Sequence, residues 1–181
     1  MKTRIIVDST ADLVAEVKER VHLVPLSVIF GEDVYLDGVT IDHKTFYEKL
    51  VESDVLPTTS QATPDAFMRE MEKAQEAGES AVVITVASQF SGTYQSACIA
   101  AEEFPGKVRV VDSKSVAIGS AILAEFALSL LEKSLSAEEI EAELIKNRDD
   151  IIIVALSILL NISKKAADFP KPQPSPEAFL I

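Results

Sequence analysis

The chain has 181 residues, 48% of them hydrophobic and 25% charged, the balance of a globular protein with room for one sizeable core. Its net charge of −12 speaks against nucleic acid and anionic membrane surfaces as partners, because both attract basic patches. A single cysteine, Cys98, excludes an internal disulfide, and no apolar run reaches membrane-spanning length, so the chain is not expected to span a membrane. Residues 1–4 lead straight into Ile5-Ile6-Val7, too short for a secretory leader, and a cytoplasmic location is the expectation.

Strand and helix signals alternate from the start. Residues 4–7 are a short apolar strand closed by Asp8-Ser9-Thr10, any of which can cap a helix at 11–20. Residues 21–30 read as a second strand, in which Pro25 calls for an edge or a bulge. The turn Gly31-Glu32-Asp33 lets 34–36 pair back as a hairpin. A helix at 42–53 carries Phe46, Tyr47 and Leu50 on one side, and 54–63 is a loop. Thr63 and Pro64 open a helix that runs to Ala77 and stops at Gly78. Residues 81–87, almost wholly apolar, read as a parallel-sheet strand buried on both faces. A polar loop then enters a helix at 93–104, with Ser91 or Thr93 as cap and Gly92 for the tight turn. A strand at 108–111 ends in Asp112-Ser113-Lys114-Ser115, and an apolar helix follows at 118–133. Ser136-Ala137-Glu138-Glu139 is a capping box for a helix at 137–148, and 151–156 is the last strand. Repeated strand–helix units predict an α/β fold: a mainly parallel sheet with helices on both faces.

The loops after the strands are rich in hydroxyls: Ser9-Thr10, Ser88 to Thr93, Ser113 and Ser115, with Thr58-Thr59-Ser60-Gln61 as a further cluster. Ligands of open α/β sheets lie beyond the carboxyl ends of the strands. If these loops gather there, hydroxyls and the N–H groups of a helix N-terminus make a neutral pocket that suits a phosphate or a carboxylate. An ordinary capped turn would use the same residue types. Signals of catalysis are missing. There is no Walker A pattern, no GxGxxG and no zinc-like Cys/His spacing. His22 reads as a structural residue on an apolar strand and His43 as a surface residue at a helix start. Asp8 and Asp112, both at strand ends, fit capping better than acid–base work. Cys98 reads as a small core residue, and the acidic run 138–143 as a solvated helix face.

Five stretches, in order, resemble the DegV family of bacterial fatty-acid-binding proteins: Ile-Ile-Val-Asp-Ser-Thr-Ala-Asp-Leu at 5–13, Val-Pro-Leu at 24–26, Thr-Ser-Gln at 59–61, Ser-Gly-Thr-Tyr-Gln-Ser-Ala at 91–97 and Val-Val-Asp-Ser-Lys at 110–114. The resemblance runs from residue 4 to about 156. It implies an N-terminal α/β domain akin to those of dihydroxyacetone kinases and the mannose-type phosphotransferase system. It further implies a long-chain fatty acid such as palmitate as ligand, carried or presented to a fatty-acid kinase, with no catalysis and neither cofactor nor metal. The carboxylate contacts it implies are Thr59 and Ser91, with Ser60, Gly92 and Thr93 beside them. A competing class is a phosphotransfer enzyme using His22 or His43; a third is a non-functional truncated product.

The tail departs from the family. A domain at 1–156 is expected, followed by an aberrant segment at 157–181 in which four of the eight prolines fall within 170–176. With plausible codons for 160–172, the frame one base earlier reads Glu-Tyr-Phe-Lys-Lys-Gly-Gly-Arg-Leu-Ser-Lys-Thr, which resembles the family's continuation. An out-of-frame tail and a missing second domain are therefore expected. Weakened acyl binding and self-association through the face around Val55, Leu56 and Phe90 are expected with them.

Overall fold

A computed structural model describes residues 2–53 and 55–154. The expected boundary at 156 and the reading of 157–181 lie outside these residues. In chain order the elements are β1 (Thr3–Asp8), α1 (Ala15–Lys18), β2 (His22–Val24), β3 (Ser27–Phe30), β4 (Asp33–Leu36), α2 (His43–Glu52), β5 (Thr58–Ser60), α3 (Pro64–Glu76), β6 (Ser80–Thr85), α4 (Thr93–Ala101), β7 (Val108–Asp112), α5 (Ile118–Glu132), α6 (Ala137–Asn147) and a 3-10 turn, Arg148–Asp150.

A four-stranded sheet in the order β2-β1-β6-β7 is parallel throughout. All of β6 is buried, as a central parallel strand must be with helices on both faces. Val82 and Ile84 point into a core shared with Ile5, Val7, Val111, Leu123, Ile140 and Leu144, beneath α5 and α6. Ala81 and Val83 point the other way, against Ile6, Val24, Phe67, Met71, Ala97 and Phe104, beneath α3 and α4. Each large aliphatic or aromatic side chain buried here contributes roughly 1.5–3 kcal/mol. The α/β fold with helices on both faces is the one the alternation predicts.

Four local expectations are corrected. The helix expected at 11–20 shrinks to α1. The preceding residues are held by other bonds: Thr10 N and Oγ1 donate to Asp8 Oδ1 at 2.9 and 2.6 Å, and Asp12 N donates to Ala117 O at 3.3 Å. Residues 21–30 are not one strand. Proline has no N–H for a ladder, and at Pro25 the chain leaves the parallel sheet for a second, antiparallel sheet of order β4-β3-β5. The expected hairpin at 34–36 is β4. The loop expected at 54–63 contains β5, which pairs with β3. No strand forms at 151–154, where Ile152 and Val154 are 86% and 89% exposed; a short apolar run marks a buried strand only when a partner edge takes it up. Within α2, Phe46 stacks edge-on against Phe30 with ring centroids 5.7 Å apart, while its neighbour Tyr47 faces outward.

Candidate functional site

Because the four strands run in parallel, the loops after β1, β2, β6 and β7 emerge at one edge. Two buried or half-buried carboxylates hold them in place. Asp8, 1% exposed, crosses from β1 to β6, where Oδ2 accepts from Val86 N at 2.6 Å. Asp112, at the end of β7, accepts from Ser88 N at 3.1 Å, from Ser88 Oγ at 2.5 Å and from Lys114 N at 2.9 Å. Burial lifts the Asp8 carboxyl above its usual range despite the bonds from Thr10 and Val86. Burial also pushes Asp112 upward, but the Ser88 and Lys114 bonds and the Arg148 charge outweigh it, so its pKa lies below the usual range. Asp8 and Asp112 end strands separated by β6, so their Cα positions lie about 10 Å apart at two strand spacings, and each carboxylate accepts from its own set of N–H and O–H donors. They are braces, as capping residues are.

The loop after β6 leads to Ser91, half-buried, whose Oγ accepts from Thr93 N at 3.2 Å and pairs with Thr93 Oγ1 at 2.9 Å. The position before α4 is Gly92, which offers no side-chain cap, so Ser91 satisfies the helix entrance from one residue further back. Thr93 is fully buried, and its Oγ1 accepts from Ala62 N at 3.4 Å. Gln61 Nε2 donates to the buried Ser96 Oγ at 3.0 Å, and its Oε1 lies 2.0 Å from where a Cβ on Gly92 would stand. Thr-Ser-Gln is thus stapled to the start of α4 at two points. The N–H groups of Gly92, Tyr94 and Gln95 have no partner among the described residues, as at any open helix N-terminus.

Thr59 lies opposite Val28 in the β3–β5 pair and Ser60 opposite Ser27, so side-chain alternation sends the two hydroxyls to opposite faces of the small sheet. Gly92 lies under Gln61, and Thr93 is turned inward as a structural link. Thr59 is exposed, as are its neighbours in 58–60, and Ser91 keeps partial access to solvent. Thr59 and Ser91 line neither the adjoining cleft of about 490 Å3, whose walls include Ser27, Gln61 and Ala62, nor a second cleft of about 590 Å3. Beside them Phe90 is 65% exposed and Val55 60%. The Thr85 hydroxyl at the end of β6 is fully buried and has no partner among the described residues.

The histidines lie away from this constellation. His22, at the start of β2, has Nδ1 3.7 Å from Glu70, and burial with the Arg4 charge lowers its pKa. His43 opens α2, in a recess with Ser9, Asp12 and Asp37. Cys98 is half-buried on α4. Sequence reasoning named Thr59 and Ser91 but missed the staples. Ser96, a hydroxyl on an otherwise Ala-rich buried helix face, was the available signal, since a buried hydroxyl needs a partner. Among the described residues no group of three or more His, Cys, Asp or Glu is placed to hold a metal ion, and no helix is long and apolar enough to cross a membrane.

Comparison with known proteins points to one family. The model of the DegV family, described as an uncharacterised protein of that family, matches residues 2–161. A DegV domain-containing protein of Clostridium perfringens is 37% identical over 153 residues, covering 83% of this chain and 55% of its own. Among solved structures, a DegV family protein from Thermus thermophilus described as fatty acid binding superposes with a TM-score of 0.75 at 35% identity, covering 82% of this chain and 54% of that one. A stearic acid-binding protein from Eubacterium ventriosum gives a TM-score of 0.70 at 33% identity, covering 80% and 52%. The chain spans about half the length of the relatives it matches.

Proposed function

Since the chain belongs to the DegV family, we propose that it binds a long-chain fatty acid such as palmitate and carries it or presents it to a fatty-acid kinase, with no catalytic step, metal or cofactor of its own. The observation that supports this reading is the stapling of the Thr-Ser-Gln segment to the Ser-Gly-Thr turn through Gln61–Ser96 and Thr93–Ala62. Ser91 Oγ and Thr59 Oγ1 donate to the carboxylate. The open N–H groups at the start of α4 add the favourable end of the helix dipole. Ser60 and Gly92 shape the walls of the site, and Thr93 positions Ser91. A cytoplasmic setting belongs to the same proposal, because the acceptor kinase draws on the nucleotide pool.

A hydrogen bond to a charged group contributes roughly 1.5–3 kcal/mol. Ser91→Ala and Thr59→Ala are therefore each expected to weaken palmitate affinity about tenfold or more, read by native mass spectrometry and calorimetry, with unchanged circular dichroism. Unaltered affinity in both variants would remove the site assignment. Incubation with a phosphoryl donor is expected to leave no stable phosphohistidine at His22 or His43; finding one would favour a phosphotransfer enzyme instead.

A further inference from the structure

At the opposite edge of the parallel sheet, where β1 and β2 begin, lies a cleft of about 590 Å3. Its charged lining is Lys2, Arg4 and Arg20 against Glu79, with His22 alongside. The chain as a whole carries 29 acidic residues to 17 Lys and Arg, so this reversal of sign is local and runs against the composition. We propose that the cleft binds a small soluble phosphomonoester.

Each cation has capacity to spare. Lys2 is exposed and has no acidic partner within 4.0 Å among the described residues. Arg20 meets Glu132 at 2.7 Å, but both side chains are at least half exposed, and such a pair opens at little cost. Arg4 is the fixed member: its Nε and Nη2 both point at one oxygen of Glu79 at 3.0 Å, which leaves Nη1 without a partner among the described residues. Beside the cleft, Glu70 lies 3.7 Å from His22 Nδ1, and Lys73 is bonded to Glu70 at 2.6 Å. Ser134, held at a φ of 62° in the turn after α5, adds a hydroxyl to the lining. A tetrahedral dianion suits two flexible cations that line one cleft with a fixed guanidinium, and the volume has room for a phosphorylated organic molecule as well as for phosphate. A membrane phospholipid is the poorer occupant, because the net charge of −12 repels anionic surfaces.

The test is calorimetry with glycerol 3-phosphate at low ionic strength, against chloride at matched ionic strength. Saturable binding is expected, weakened at least tenfold in the Lys2→Gln/Arg20→Gln double variant. A Lys44→Gln/Lys146→Gln variant, which makes the same change in net charge on α2 and α6, is expected to bind as the parent does. Because all four side chains sit at the surface, equal melting temperatures show that both variants fold. Absence of saturable binding, or an equal loss in the control variant, overturns the proposal. Pelleting with phosphatidate vesicles in place of binding the soluble ester overturns it also. Ser91 does not line this cleft, so Ser91→Ala is expected to leave the binding unchanged, which separates the outcome from that of the fatty-acid site.

Discussion

Single residues do two different jobs at the carboxyl edge of the sheet: Ser91 and Thr59 face solvent, while Asp8, Asp112, Thr93 and Gln61 hold the backbone that presents them. Gly92 shows how tightly this is built. Its φ of −71° suits any residue, so a side chain there meets no backbone strain; the obstacle is Gln61 Oε1 at 2.0 Å. In Gly92→Ala the amide must swing off Ser96, a loss of about 1 kcal/mol in chemical denaturation for one hydrogen bond. Palmitate affinity is expected to fall as well, since the staple that positions Thr59 is released. Asp8 makes a pH prediction. Its folded pKa is raised, so the native state holds that proton more firmly than the unfolded chain. The stabilisation is full below the ordinary value of 3.8 and is lost as pH rises through the folded value. Unfolding free energies measured against pH should therefore show the Asp8→Asn variant gaining on the parent over that interval. Asp112 has the opposite sign: its contribution is present above 3.8 and is lost as pH falls through its lowered value.

Among the elements, α6 is the one whose ends and face were most completely written in local residues. The capping box is present in full: Ser136 Oγ accepts from Glu139 N at 3.3 Å, and Ser136 N donates to Glu139 Oε2 at 2.8 Å. The face it presents, Ile140 and Leu144, is fully buried against the sheet. Ser136→Ala is expected to cost about 1 kcal/mol in urea unfolding, the usual loss for a cap of this type. A cost near zero would mean that burial of Ile140 and Leu144 sets the helix boundary by itself. The short α1 is the contrasting case. Its sequence carries helix-forming residues from Ala11 onward, yet the bonds from Asp8 and Ala117 claim the preceding backbone first, and tertiary contacts override local propensity.

At the scale of the whole molecule, charge and exposed apolar surface oppose each other. Phe90 and Val55 stand exposed on the segments that lead into α4 and β5, the two elements that carry the proposed carboxylate contacts. We propose that copies of this chain associate weakly through that face. The net charge of −12 resists the contact, and salt screens charge beyond about 8–10 Å while leaving apolar burial intact. Light scattering should therefore show association increasing with salt and reduced in Phe90→Ser; a strictly monomeric chain at every salt concentration would sink the idea.

Local residues alone were enough for the α/β class, the parallel order implied by repeated strand–helix units, the buried strand at β6 and the helices with clear caps at Thr63 and Ser136. Those features depend on residues close together in the chain, where periodicity and capping chemistry act. The Thr-Ser-Gln and Ser-Gly-Thr stretches were legible too, through their resemblance to a known family. What depends on distant partners came from the folded chain: that Pro25 passes the chain to a second sheet, that Thr58–Ser60 is a strand with its hydroxyls on opposite faces, and that residues 151–154 lack a partner edge. It also decided which hydroxyls are tied to distant partners. Thr93 and Ser91 are alike in local sequence chemistry, but Thr93 is fully buried and accepts from Ala62, 31 residues away, whereas Ser91 is half-buried and bonds to its near neighbour Thr93, and no local pattern encodes a hydrogen bond across the longer separation.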